Sequence, residues 1–145
     1  MKKIRILIAD DHALMRLGLK SMISLQRDME VVGEAENGQE AIDLALALAP
    51  DVIILDLMMP KVNGAAATKA ICDARPDANV ILLTSYGDAA ELGSVIANGA
   101  AGVLMKDAPT ESLLTAIRSV MSGGMALTAE FVAPCEVALP ALTPR

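Results

Sequence analysis

Residues 51–64 read DVIILDLMMPKVNG. Four apolar residues, Val52 to Leu55, run without a break into one acid, Asp56, and a loop carrying Pro60 and ending at Gly64 follows at once. A short continuous run of β-branched and aliphatic residues between turn signals marks a strand buried on both faces. A carboxylate at the end of such a strand needs a reason. The remainder of the chain supplies one.

Outward from this strand the same unit recurs. Ile4–Ala9, Glu30–Glu34, Val80–Leu83 and Gly102–Met105 are further short strands by pattern. Between them the spacing predicts helices over Leu14–Leu25, Glu40–Leu48, Ala65–Ala74 and Ala89–Asn98, and a last helix capped by Thr110 with Glu111 in its first turn. Met15, Leu19 and Met22 recur at helical spacing, and Leu113, Ile117, Val120 and Met121 share one face of the last helix. Pro50 and Pro76 stop the second and third helices, Gly99 closes the fourth, and Gly99 and Gly102 read as turn glycines. The pattern is (βα)5. Strands apolar throughout and joined by helices imply a doubly wound α/β fold, a parallel sheet covered on both faces. In such open sheets ligands bind outside the carboxyl ends of the strands, at a topological switch point.

Composition narrows the class. A length of 145 residues suits one domain with a real core, and a hydrophobic share of 54% excludes a disordered chain. With 1% aromatic residues the core must be aliphatic. No uncharged run approaches the roughly 18 apolar residues of a membrane span. The opening MKKIRILIADDH is interrupted by Arg5 and ends in two aspartates, which fits a first strand and not a signal peptide. Cys72 and Cys135 stand alone, with no CxxC and no histidine cluster, which fits reduced thiols in the cytoplasm and argues against zinc. A net charge of −6 argues against this stretch gripping DNA itself. From about Gly123 the sequence GGMALTAEFVAPCEVALPALTPR loses its period and reads as a linker, with one short helix near Ala129–Val132. There is no GxxxxGK[ST] phosphate loop and no GxSxG elbow.

The strand ends collect the chemistry. Asp10 and Asp11 close the first strand, Asp56 the third, Thr84 the fourth and Lys106 the fifth. Three carboxylates brought to one edge repel one another unless a cation neutralises them, and oxygen ligands in an open site suit Mg²⁺. A carboxylate can also act as a nucleophile and accept a phosphoryl group, a transfer catalysed mainly by positioning and charge stabilisation. In that reading Asp56 is the nucleophile. Lys106 neutralises a phosphoryl oxygen, Thr84 donates a hydrogen bond, and Pro60 and Gly64 shape the loop behind the acid. His12, the only histidine, is expected to face solvent.

At these residues the sequence resembles a response-regulator receiver domain, of the NarL/FixJ (LuxR-type) subfamily of two-component transcription regulators. "ILIADDHALMRLGL" is similar to the family's first strand and acidic pair, "DVIILDLMMPKVNG" to its phosphoacceptor strand and loop, and "VILLTS" and "GAAGVLMKDAP" to its fourth and fifth strands. The resemblance covers residues 2–122 and implies a flavodoxin-like (βα)5 fold with a five-stranded parallel sheet of order 2-1-3-4-5. It implies Asp56 as the phosphoacceptor, Thr84 as the switch hydroxyl and Lys106 as the family lysine. Asp10, Asp11, Asp56 and the backbone carbonyl of Met58 become the ligands of Mg²⁺. Three residues before the lysine the family commonly has Tyr or Phe, and this chain has Val103.

The expected function is therefore a phosphoacceptor receiver domain, residues 1–122. It takes a phosphoryl group from a sensor histidine kinase and switches homodimerisation or the release of a DNA-binding output domain. Its readout face would be the fourth helix, fifth strand and fifth helix. It would be a self-phosphorylating signalling domain with at most slow autodephosphorylation, not an enzyme, and cytoplasmic with no membrane partner. Residues 123–145 are the expected linker. Its last residues, LTPR, resemble the start of a LuxR-type helix-turn-helix domain, and Thr143-Pro144 suits an N-cap followed by Pro. DNA contact would come only through that missing domain. Two alternatives stand beside this reading: a stand-alone receiver signalling by protein contact or phosphorelay, and an Asp-nucleophile Mg²⁺-dependent phosphatase. The phosphatase would want an acid two residues after Asp56, where this chain has Met58.

Overall fold

A computed structural model of the chain describes residues 3–57, 59, 61–84, 98–123 and 126–127. Within them the elements run β1 (Ile4–Ala9), α1 (Ala13–Ser24), β2 (Met29–Ala35), α2 (Gly38–Leu48), β3 (Val52–Asp56), α3 (Gly64–Ala74), β4 (Asn79–Thr84), β5 (Gly102–Met105), α4 (Thr110–Met121) and β6 (Ala126–Leu127). All pairings are parallel and the order is β2-β1-β3-β4-β5-β6. The first five strands keep the expected order 2-1-3-4-5. The two-residue β6 is an addition: it pairs with Gly102 and Val103 inside the stretch expected to be linker.

Alternation along the strands builds two cores. Leu7, Ala9, Ile53, Leu55, Val80, Leu82 and Val103 face one side and pack against Ala41 and Ala45 of α2 and Ala67 and Ile71 of α3. Ile6, Ile8, Val52, Ile54, Ile81, Leu83 and Leu104 face the other and pack against Leu19 and Ile23 of α1 and Leu113 and Ile117 of α4. Every residue of β3 is buried. Each buried Leu or Ile contributes about 1.5–3 kcal/mol, and so an aliphatic chain with almost no aromatic residues still builds a sufficient core. The small Ala residues of α2 and α3 let those helices lie close to the sheet.

Local chemistry sets the element ends. Asn37 and Asn63 cap α2 and α3, their side-chain oxygens accepting the N–H groups of Glu40 and Ala66, both at 2.9 Å. At the start of α3 a Cβ on Gly64 would lie 2.7 Å from the carbonyl oxygen of Asp56 and 2.7 Å from Cα of Leu57. Only glycine lets the helix approach the backbone that carries Asp56, and the Gly64 N–H donates to the Leu57 carbonyl at 2.8 Å. The turn reading of Gly99 holds, with φ at +109°.

Three local expectations are corrected. Gly102 is no turn residue but the first residue of β5, paired with Ile81 and Ala126. Thr110 is the first helical residue of α4, not its cap: Pro109 holds the N-cap position, and its carbonyl accepts the Ser112 N–H at 2.9 Å. Met121 turns out of the apolar face of α4 and is 41% exposed, its sulfur accepting from Asn79 Nδ2 at 3.7 Å. The helix expected over residues 89–98 falls outside the described residues except for Asn98. So do Met58, Pro60, the short helix expected at 129–132, Cys135 and the closing LTPR.

Candidate functional site

Hydrogen bonds just beyond the strands fix where the site residues stand. Asp10 N–H donates to Ala35 O at 3.1 Å, Leu57 N–H to Leu83 O at 2.9 Å and Lys106 N–H to Thr84 O at 2.8 Å. With the pairing of β1 on β3, the ends of β1, β3, β4 and β5 stand in one row. Register places Asp56 opposite Leu83 and Thr84 opposite Met105. Thr84 is buried at this edge.

The row brings together Asp10, Asp11, Asp56 and Lys106, as the sequence predicts. Lys106 Nζ donates to Asp56 Oδ2 at 3.0 Å and lies 3.6 Å from Asp10 Oδ2. Asp10 and Asp56 are almost sealed, at 1% and 2% exposure, while Asp11 sits at the rim. Burial works against the Lys106 ammonium. The hydrogen bond to Asp56 and the charges of Asp56 and Asp10 outweigh it and hold the lysine pKa above its ordinary value. Lys106 therefore stays charged throughout the neutral range.

One cation does not satisfy this set. Asp10 Oδ2 is buried and has no hydrogen-bond partner. Buried carboxylates without partners are costly, and an unsatisfied one in a polar cleft marks a place for water or an ion. Ligand atoms from Asp10, Asp11, His12 and Asp56 all lie within 4.8 Å of one another. The donor set, mostly hard oxygen, and the unsatisfied Asp10 oxygen fit a small divalent cation such as Mg²⁺. The backbone carbonyl of Met58, expected as a further ligand, lies outside the described residues.

Two residues in this cleft went unassigned in the sequence. His12 is exposed, as expected, with 65% of its side chain open, yet its Nδ1 lies 3.0 Å from Asp10 Oδ1, 3.1 Å from Asp11 Oδ1 and 4.0 Å from Asp56 Oδ2. Its backbone N–H also donates to Asp10 Oδ1 at 2.8 Å, an Asx-type turn that starts α1. Arg16, one turn into α1, donates from Nη1 to the Asp10 carbonyl at 2.6 Å. It also lies near Glu34 and Glu36 at 3.5 and 3.9 Å, which anchors the acid loop to β2. Adjacency to the Asp pair was the available signal for His12.

Val103 is buried on the α2/α3 side of the sheet, away from the acids. It has no long ring to rotate.

Comparison with known proteins agrees with this geometry. Residues 6–118 match the family model of the response regulator receiver domain. The transcriptional regulatory protein LnrK of Bacillus subtilis is 38% identical over 130 residues, 90% of this chain and 59% of that protein. The oxygen regulatory protein NreC of Staphylococcus aureus is 43% identical over 120 residues, 82% of this chain and 55% of that protein. The chain thus spans a little over half the length of these curated relatives. Among solved structures, a LuxR-family two-component response regulator from Aurantimonas superposes with a TM-score of 0.86 at 27% identity, covering 91% of this chain and 94% of that one. The signal receiver domain of NarL from Mycobacterium tuberculosis gives 0.81 at 33% identity, covering 85% and 99%. The chain belongs to the response regulator receiver family, and within it to the NarL/LuxR type.

Proposed function

We propose that Asp56 is the phosphoacceptor of this receiver, charged by a sensor histidine kinase. The observation that carries the reading is the gathering of Asp10, Asp11 and Asp56 at the strand ends, two of them beside Lys106, with an oxygen of Asp10 left without a hydrogen bond. Asp10, Asp11, Asp56 and the Met58 carbonyl are the proposed holders of Mg²⁺. The ion supplies charge neutralisation for the transferred group. Asp56 provides the oxygen that forms the new bond to phosphorus as the bond to the donor nitrogen breaks, and the imidazole of the kinase leaves. Lys106, 3.0 Å from Asp56 Oδ2, orients the carboxylate and then meets the phosphoryl charge. Thr84, buried at the end of β4, is the proposed hydroxyl that follows the phosphoryl group and shifts the balance between two states.

Residues 1–122 form the proposed receiver unit and 123–145 the linker to an output domain. Two relatives are named as regulatory proteins, one of them transcriptional, and are longer than this chain, which supports an output domain that acts on DNA; its control by phosphorylation-dependent dimerisation is part of the proposal. Incubation with a small phosphodonor and Mg²⁺, followed by mass-spectrometric mapping, tests the core of this reading. Wild type gains one phosphoryl group on Asp56, Asp56→Asn gains none, and EDTA abolishes labelling. A full-yield adduct in Asp56→Asn defeats the assignment. Light scattering of the labelled and unlabelled chain then tests the coupling to dimerisation.

A further inference from the structure

The imidazole of His12 occupies a position that solvent exposure alone does not explain. It is the N-cap residue of α1, yet it makes no side-chain capping bond, whereas Asn37 and Asn63 at the same position of α2 and α3 do. An N-cap side chain normally satisfies one of the open N–H groups of the first turn. Here the ring turns back over the acids instead.

The distances have a second meaning. In an octahedral centre with ligand bonds of about 2.1 Å, adjacent donor atoms stand about 3.0 Å apart and opposite ones about 4.2 Å. His12 Nδ1 lies 3.0 Å from Asp10 Oδ1 and 3.1 Å from Asp11 Oδ1, the spacing of neighbouring ligands. It lies 4.0 Å from Asp56 Oδ2, close to the spacing of opposed ones. Independently, the other oxygen of Asp10, buried Oδ2, has no hydrogen-bond partner and only a 3.6 Å ion-pair contact with Lys106. Without a metal the 3.0 Å contact of Nδ1 with Asp10 Oδ1 is a hydrogen bond, and the ring nitrogen stands at ligand-like spacing from one oxygen of each of three carboxylates, in a group whose ligand atoms all lie within 4.8 Å of one another.

We infer that His12 is a ligand for the cation of this cleft, and that its nitrogen shifts the preference of the site from Mg²⁺ toward first-row transition divalents such as Mn²⁺ and Zn²⁺. The inference rests on the reading of the cleft as a cation site. An all-oxygen set suits Mg²⁺, whereas imidazole nitrogen adds little to a hard, strongly hydrated ion and much to borderline metals. The backbone N–H of His12 already holds Asp10 Oδ1, so the loop keeps its shape when the ring is replaced.

Because His12 is the only histidine of the chain, selective ¹⁵N-histidine labelling of tag-free protein marks that ring alone. Mn²⁺ is the probe, read by pulsed electron paramagnetic resonance. The expected result is a directly bonded ¹⁴N coupling that converts to ¹⁵N on labelling and is absent in His12→Gln. Calorimetry should show the Zn²⁺-over-Mg²⁺ preference falling in His12→Gln by about tenfold or more, since losing a ligand costs at least what losing an outer partner does. Mn²⁺ binding without nitrogen coupling overturns the role of His12 and leaves the acid cleft standing as a cation site. Failure of both Mg²⁺ and Mn²⁺ to bind wild type overturns the cleft reading and the inference together.

Discussion

The two edges of the sheet handle charge in opposite ways. At the edge where the strands begin, two arginines are held by well-placed acceptors. Arg118 of α4 forks onto Asp28 with bonds of 2.9 and 3.0 Å and reaches Gln26 at 3.1 Å. Arg5 holds the carbonyls of Leu48 and Ala49 at the end of α2, and its own N–H donates to Asp51. At the edge where the strands end, Asp10, Asp11 and Asp56 crowd together with Lys106 beside two of them, and one buried oxygen has no hydrogen bond. The first edge is arranged for stability, and the second gives stability up for a site that a cation and a phosphoryl group can complete. Three predictions press on that contrast.

The largest effect is expected at Lys106. Replacing it with Met leaves the acids without their cation in a nearly sealed cleft. Removing one partner of a buried charge pair typically costs about 3 kcal/mol or more. Metal-free Lys106→Met should unfold at correspondingly lower denaturant. It should bind Mg²⁺ at least as tightly as wild type, because more negative charge is left for the ion, while accepting phosphate poorly. The pH sign agrees. The folded pKa of Lys106 is raised, so its contribution is complete below the unfolded lysine value, roughly 10.4, and is lost as pH rises through the higher folded value. An unchanged denaturation midpoint in Lys106→Met would break the contrast at its strongest point.

Asp10→Asn should move stability the other way. It removes one of three like charges and turns an unsatisfied carboxylate into an amide. The metal-free variant should gain on the order of 1 kcal/mol, the usual yield when a strained functional group is relieved. Calorimetry should show its Mg²⁺ affinity falling by at least tenfold, an effect at least as large as loss of an outer-shell partner. Loss of stability without loss of Mg²⁺ binding would make Asp10 a structural residue of the β1 turn.

How much of this the sequence carried follows from the same physics. Strands buried on both faces leave an unbroken apolar signature, so β1, β3, β4 and β5 were legible to within a residue or two. The acids and Lys106 were legible because a parallel sheet forces every strand to end at one edge. What stayed hidden depends on side-chain direction or on pairing. Nothing in a histidine after two aspartates says that its ring turns back over them, and Arg16 reaches the Asp10 carbonyl only once α1 is set against β2. The strand Ala126–Leu127 is too short for any period to show. Gly102 reads both as a turn glycine and as the start of a strand, and its pairing with Ile81 and Ala126 decides for the strand. Met121 continues the apolar spacing of Leu113, Ile117 and Val120, but it stands at the last turn of α4, where the helix runs past the core.

The smallest effect belongs to the satisfied edge. Arg118 and Asp28 are both more than a third exposed, so solvent and salt screen their attraction. The fork geometry and the added bond to Gln26 still make this a better surface pair than most. Arg118→Ala should cost about 0.5–1 kcal/mol at neutral pH, read from denaturant midpoints at low salt. The hydrogen bond from Arg118 lowers the folded pKa of Asp28 more than burial raises it. A carboxylate so shifted contributes fully above its unfolded pKa of roughly 3.9, and the contribution disappears as pH falls through the lower folded value. Wild type and Arg118→Ala should therefore converge in stability in acid, while Arg118 itself stays charged over the whole range. Arg118→Ala should leave the Mg²⁺-dependent labelling of Asp56 unchanged. If Arg118→Ala lost several kcal/mol, or lost stability only when Mg²⁺ was bound, the two edges would be coupled, and the division between a stabilising edge and a functional one would have to be abandoned.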